Sequence, residues 1–130
     1  MAHPNEDLLR EGYAAFGRGD LDALQNQFFA SDITWHFPGK SQFAGDYQGV
    51  AEVLGWLART FELSGGTIHV ELNDVLANDE LAVALVTINA QREGRELDDG
   101  SVQVFRVRDG KIAEVWNHPA DLYVNDAFWS

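Results

Sequence analysis

The chain has 130 residues, 45% of them hydrophobic and 12% aromatic, which suits one folded domain (residues 1–130) with a sizeable core and excludes a disordered chain. A net charge of −12 with only 9 Lys and Arg argues against a nucleic-acid partner, whose phosphates need cations, and against an anionic membrane surface. No cysteine is present, so disulfides, thiolate catalysis and Cys-ligated zinc are excluded.

The first residues, MAHPNEDLLREG, contain neither a basic start nor an apolar run, so no secretory signal is read and a cytoplasmic location is expected. No stretch approaches the length of a membrane-spanning helix. Pro4 and Asn5 open a first helix running to about Phe16, with Leu9, Tyr13 and Phe16 as its apolar stripe. Gly17 and Gly19 stop it, and Asp20 caps a second helix carrying Leu21, Leu24 and Phe28 on one face. Residues 31–37 alternate, with Ile33, Trp35 and Phe37 on one side and Thr34 and His36 on the other, as in a half-buried strand ended by Pro38-Gly39. A glycine-punctuated loop with Phe43 and Tyr47 follows to Gly49, of the kind that forms lids and binding loops. A third helix over residues 50–63 has a clear period through Val50, Val53, Leu54, Leu57 and Phe61.

Thereafter the chain reads as strands. Residues 67–77 alternate weakly, and residues 81–92 put Ala84, Val86, Ile88 and Ala90 on one side. Glu93-Gly94 makes a turn into a strand from Leu97 to Val107. The tail after Pro119 carries Leu122, Tyr123, Val124, Phe128 and Trp129, and so apolar a segment should dock on the body or on a second subunit.

The turn at Arg108-Asp109-Gly110 decides which side chains of the last two strands share a face. A two-residue loop pairs Arg108 with Lys111, whereas a three-residue loop with Gly110 in the left-handed conformation pairs Val107 with Lys111 and sets Gln103 opposite Val115. The shorter loop puts one charge on each face and would bury either Arg106 or Glu114, at a large cost for an unpaired charge. The three-residue loop is therefore expected. It turns Gln103, Phe105, Val107, Ala113, Val115 and Asn117 inward, an apolar surface with two neutral amides. Val102, Val104 and Trp116 then give the outer face enough apolar surface for a homodimer interface.

The order helix, helix, strand, helix and four antiparallel strands predicts an α+β domain. Three helices pack on the concave face of a cone-shaped, curved antiparallel sheet and enclose a pocket. The element order, Gly19-Asp20-Leu21-Asp22-Ala23-Leu24 and Ile33-Thr34-Trp35-His36-Phe37-Pro38-Gly39 resemble the nuclear transport factor 2-like superfamily. Ala44-Gly45-Asp46-Tyr47-Gln48-Gly49 and Gly110-Lys111-Ile112-Ala113-Glu114-Val115-Trp116 add to the likeness, which is greatest to the SnoaL-like polyketide cyclases and the ketosteroid isomerases. The resemblance implies a small-molecule enzyme of the cyclase or isomerase kind, although this fold also hosts binding proteins. The isomerase base position falls on Phe37, its oxyanion tyrosine on Gly12 beside Tyr13, and its protonated aspartate on Gln103. The cyclase acid–base positions fall on Gln103 and Asn117. Amides neither take nor give a proton at neutral pH, but they can orient a carbonyl or stabilise an oxyanion.

The candidate catalytic residues are accordingly Gln103 and Asn117, with Asp121 and His36 as groups that could titrate at the rim. The alternatives are a structural hydrogen-bonding role for the amides, a helix cap for Asp121, and an outward-pointing His36. Trp35, Phe37, Tyr47, Val86, Ile88, Phe105 and Val115 are the candidate pocket lining, or else ordinary core. His36, His118 and Asp121 lack a metal-ligand spacing, and neither metal nor cofactor is expected. The expected ligand is a small apolar or neutral organic molecule with a carbonyl. The other functions kept open are a non-catalytic binding protein and an epoxide hydrolase-like enzyme, which would need two carboxylates and an arginine around one water.

Overall fold

Helix α1 (Pro4–Gly17) begins where proline is best tolerated, with the His3 ring accepting from the Asn5 backbone N–H at 3.0 Å as its cap. A computed structural model describes residues 3–130 of the chain. Gly19 (φ +68°) takes the left-handed conformation that ends α1, and Asp20 caps α2 (Leu21–Ala23) by accepting from Ala23 N at 3.0 Å. This helix runs on as a π-helical turn over Leu24–Phe28, which buries Leu24 and Phe28. Helix α3 (Val50–Leu63) buries Val53, Trp56, Leu57 and Thr60. The apolar tail is itself helical: α4 (Leu122–Trp129) buries Asn125, Phe128 and Trp129.

The strands are β1 (Phe29–Phe37), β2 (Gly45–Gln48), β3 (His69–Ala77), β4 (Leu81–Arg92), β5 (Arg95–Arg108) and β6 (Lys111–Pro119). They form one sheet in the order β2-β1-β6-β5-β4-β3. This corrects the expected cone. The sheet is mixed because β1 runs parallel to β6, and it is open, with β2 and β3 as its edges. The helices number four among the described residues, since the tail supplies α4. Strand β2 lies within the stretch read as a loop, where it pairs antiparallel with β1.

The β5–β6 turn is also corrected. Asp109 (φ 54°) and Gly110 (φ 73°) form the two-residue loop, and Arg108 pairs with Lys111. The ladder then slips: Val107 faces Ile112 but Arg106 faces Glu114, so Ala113 is an extra residue on β6. Ile112 and Ala113 are both buried. Beyond the bulge the faces are those that charge placement requires, with Phe105 opposite Val115 and Gln103 opposite Asn117 rather than Val115. The short loop therefore buries no charge, because Arg106 and Glu114 meet on the outer face at 3.9 Å.

Helix α1 packs over β3 and β4, α3 over β1 and β2, and α4 over β5 and β6. The core lies between these helices and the sheet, built on Leu9, Ile33, Phe43, Val53, Leu97 and Val115, all essentially inaccessible.

Candidate active site

The helices and sheet do not close completely. A cavity of about 90 Å³ remains between them, walled by α1 (Leu9, Gly12, Tyr13, Phe16), α3 (Trp56, Leu57, Thr60) and α4 (Asn125, Trp129). The sheet contributes Trp35 and Phe37 from β1, Ile88 from β4, Gln103 and Phe105 from β5, and Ile112 and Asn117 from β6. Pockets that enclose drug-sized ligands hold about 300–1,000 Å³, so the space in this conformation suits a compact molecule. None of the described lining residues is Asp, Glu, Lys, Arg or His.

The polar groups at the floor form one connected chain. Trp35 Nε1 donates to Asn117 Oδ1 at 3.0 Å, and Gln103 Nε2 donates to the same oxygen at 3.2 Å. Tyr13 Oη donates to Gln103 Oε1. An indole N–H can only donate, so the Asn117 atom beside Trp35 must be the oxygen. That oxygen in turn requires the nitrogen of Gln103, and the remaining Gln103 oxygen requires the tyrosine proton. One tryptophan thus fixes the direction of the whole chain. It leaves Asn117 Nδ2 with two N–H groups and no partner among the described residues. Burial pushes the Tyr13 phenol well above its usual range, so it stays a neutral donor at physiological pH.

Of the residues read as candidates, Gln103, Asn117, Trp35, Phe37, Ile88 and Phe105 come together at the cavity. Val86 and Val115 are buried in the core without lining it. Tyr47 stacks on Trp56 with ring centroids 5.3 Å apart and donates its hydroxyl to Phe43 O at 2.7 Å, one layer behind the wall. Asp121 does not line the cavity: it caps α4, accepting from Val124 N at 3.1 Å.

His36 is on the other face of the sheet. Its Nδ1 meets Asp46 and its Nε2 meets Glu114, each at 2.7 Å, and its ring stacks on Trp116 at 5.6 Å. Burial alone would lower its pKa, but the hydrogen bonds and charges of Glu114 and Asp46 outweigh that, and the imidazole is raised above its ordinary value. Both ring nitrogens are occupied, so it has no free atom for a substrate.

Tyr13, Trp56 and Asn125 belong to the site and were not singled out from the sequence. Tyr13 stood on the α1 stripe one residue from Gly12, and both prove to line the cavity. Asn125 lies four residues before Trp129, the spacing that puts two side chains on one helix face. That spacing was a usable signal. For Trp56, nothing beyond its place beside Leu57 marked it.

Residues 9–115 match the SnoaL-like domain family. The chain belongs to this family. An uncharacterized protein of Mycobacterium tuberculosis is 38% identical to this SnoaL-like chain over 95% of each. The structure of Bal32a, from a soil-derived mobile gene cassette, superposes with a TM-score of 0.94 at 34% identity, covering 98% of this chain and 97% of that one. A candidate polyketide cyclase from Xanthomonas campestris superposes with a TM-score of 0.72 at 26% identity over 95% of both chains. SnoaL-like relatives of this kind support a small-molecule-binding or enzyme-like role, and the Trp35–Asn117–Gln103 network beside a buried aromatic cluster is consistent with one.

Proposed function

We propose that this SnoaL-like protein holds a small, uncharged, largely apolar carbonyl compound in its cavity and acts on it as a cyclase- or isomerase-like enzyme. The carbonyl oxygen sits on Asn117 Nδ2, and the amide stabilises negative charge that develops on that oxygen. The observation that carries this reading is the fixed direction of the Asn117 amide, whose oxygen is held by Trp35 and Gln103 while its N–H groups are unengaged. Gln103 is a positioning residue, as is Tyr13 behind it. Trp35, Phe37, Ile88 and Phe105 shape the wall, and Val86, Val115 and Tyr47 support it from behind. His36 and Asp121 are given structural roles, and no proton transfer is assigned to them.

The test is turnover of a panel of polyketide and terpenoid ketones by the wild type and by Asn117→Asp. The variant keeps the acceptor oxygen for Trp35 and Gln103 but loses the amide donor. Where its carboxyl is ionised, turnover should fall by about 10²–10³-fold, the usual effect of losing one oxyanion donor. Unchanged turnover removes Asn117 from the reaction.

A second reading, a protein that binds such a ketone without converting it, is favoured by one observation: among the described lining residues only Tyr13 titrates, and burial holds it protonated. Binding across the panel without turnover would select it. An epoxide hydrolase-like reaction is disfavoured, since the described wall offers neither carboxylate nor arginine.

We also place the protein in the cytoplasm as a homodimer joined through the outer sheet face. There Leu76, Val83, Val104 and Trp116 stand in one row across four strands, and Leu76, Leu85 and Val102 are 57%, 37% and 37% exposed. Sedimentation of wild type and Val102→Glu tests the assembly: a dimer that dissociates supports it, and a wild-type monomer refutes it.

A further inference from the structure

Two residues of the cavity's helical wall carry donors with nothing to donate to. Trp56 Nε1 on α3 and Asn125 Nδ2 on α4 are buried without a hydrogen-bond partner among the described residues, and both side chains line the cavity. The residues are only 5% and 6% exposed. An orphaned buried N–H is destabilising, whereas an apolar side chain of similar size at the same place is not. Ser101 Oγ is the one other side-chain atom among the described residues that is both inaccessible and unpartnered, and it does not line the cavity.

The Trp56 donor is not free to turn to a partner elsewhere. The Trp56 ring is held by Trp35, Phe37 and Tyr47, with ring centroids 5.1, 5.3 and 5.3 Å away. Asn125 rides on a helix capped by Asp121 at its start and tied at its end, where Arg92 and Arg95 donate to the carbonyls of Ala127, Phe128 and Ser130. The wall that carries these two groups is fixed by its surroundings.

We infer that the cavity has a second polar subsite, formed by Trp56 Nε1 and Asn125 Nδ2 on the helical wall, and that its ligand bears a second acceptor oxygen besides the one on Asn117. This rests on the carbonyl-binding role proposed above. The ligand class is then a compact, uncharged molecule with two acceptor oxygens on an apolar frame, such as a diketone, a quinone or a keto-lactone. A carboxylate does not fit, because no described lining residue is cationic and the chain carries a charge of −12. Sheet and helices would each grip one oxygen.

The test is calorimetric titration of the full chain with 1,4-cyclohexanedione and with cyclohexanone, two rings of nearly equal size that differ by one acceptor. The wild type should bind the dione about tenfold more tightly, as one added buried hydrogen bond allows. Trp56→Phe and Asn125→Leu should each narrow that ratio towards one. Asn125→Leu, which is close in size, should not lower the melting temperature of the unliganded protein, since it removes an orphaned donor. Trp56→Phe also gives up ring packing and should lower it. Equal binding of the two ketones by the wild type overturns the second subsite alone. So does a ratio that survives both substitutions. Failure of both ketones to bind overturns the Asn117 carbonyl site, and this inference with it.

Discussion

Asn117 stands directly across the β5–β6 ladder from Gln103, and the two amides are bonded to each other, Gln103 Nε2 donating to Asn117 Oδ1 at 3.2 Å. Facing residues on one sheet face are the closest neighbours two strands can offer. Because Trp35 from β1 donates to the same oxygen at 3.0 Å, three strands converge on one atom. The arrangement orients a donor into an apolar space, and it also contributes to stability.

Substitutions at Asn117 separate those two effects. Asn117→Leu leaves the Trp35 and Gln103 donors without their acceptor, at about 1–3 kcal/mol for each buried group left unpaired. A clear fall in melting temperature is expected. Asn117→Asp keeps the acceptor, and its carboxyl should be raised by its apolar surroundings. The folded pKa then exceeds the unfolded value of about 3.9, so stability falls as pH rises from there through the folded pKa. Thermal melts of the variant across that window check the sign.

Tyr13→Phe removes the donor to Gln103 Oε1. The variant should lose about 1–3 kcal/mol in chemical denaturation, the cost of an acceptor left unsatisfied. The loss should be the same in mildly acidic and mildly alkaline buffer, because burial keeps the wild-type phenol protonated across that range. A loss that changes with pH would show that the tyrosine ionises.

His36 gives the outer face a pH dependence of its own. Its pKa is raised in the folded protein by Glu114 and Asp46 against the opposing effect of burial, so the stabilisation is complete below the unfolded pKa of about 6.5. It is lost as pH rises through the folded pKa. His36→Gln should therefore destabilise the protein in acidic buffer and much less in alkaline buffer. Melting curves of both proteins on the two sides of neutrality read out the difference.

The inward faces of β5 and β6 were legible because charges report sidedness. Arg106 and Glu114 had to face water, and that fixed Gln103 and Asn117 on the other side. The loop itself was not legible. Asp109-Gly110 suits a two-residue turn, and a bulge at Ala113 restores the sidedness that a regular ladder would have lost. Sequence order also hid the parallel β1–β6 pairing, because the two strands are far apart in the chain and nothing local marks their contact. Strand β2 has four residues, mostly exposed on the sheet edge, too short and too polar for alternation to show.

At the site, His36 and Asp121 were candidates for catalysis; the alternatives, an outward His36 from strand alternation and a cap for the tail helix at Asp121, are the arrangements found. Tyr13 was obscured by a one-residue phase on a helix, where neighbouring positions differ by about 100°. The unpartnered donors of Trp56 and Asn125 could not be read at all, since an absent hydrogen bond leaves no mark in a sequence.

The most direct measurement is the infrared carbonyl stretch of carbon-13-labelled cyclohexanone bound to the wild-type protein. If the oxygen rests on the Asn117 amide among neutral groups, the band should lie below its position in hexane and stay there from about pH 5.5 to about pH 9, the range over which a histidine or a raised carboxyl would titrate. A hexane-like frequency, or a band that moves with pH, would contradict a cavity whose working group is a neutral amide.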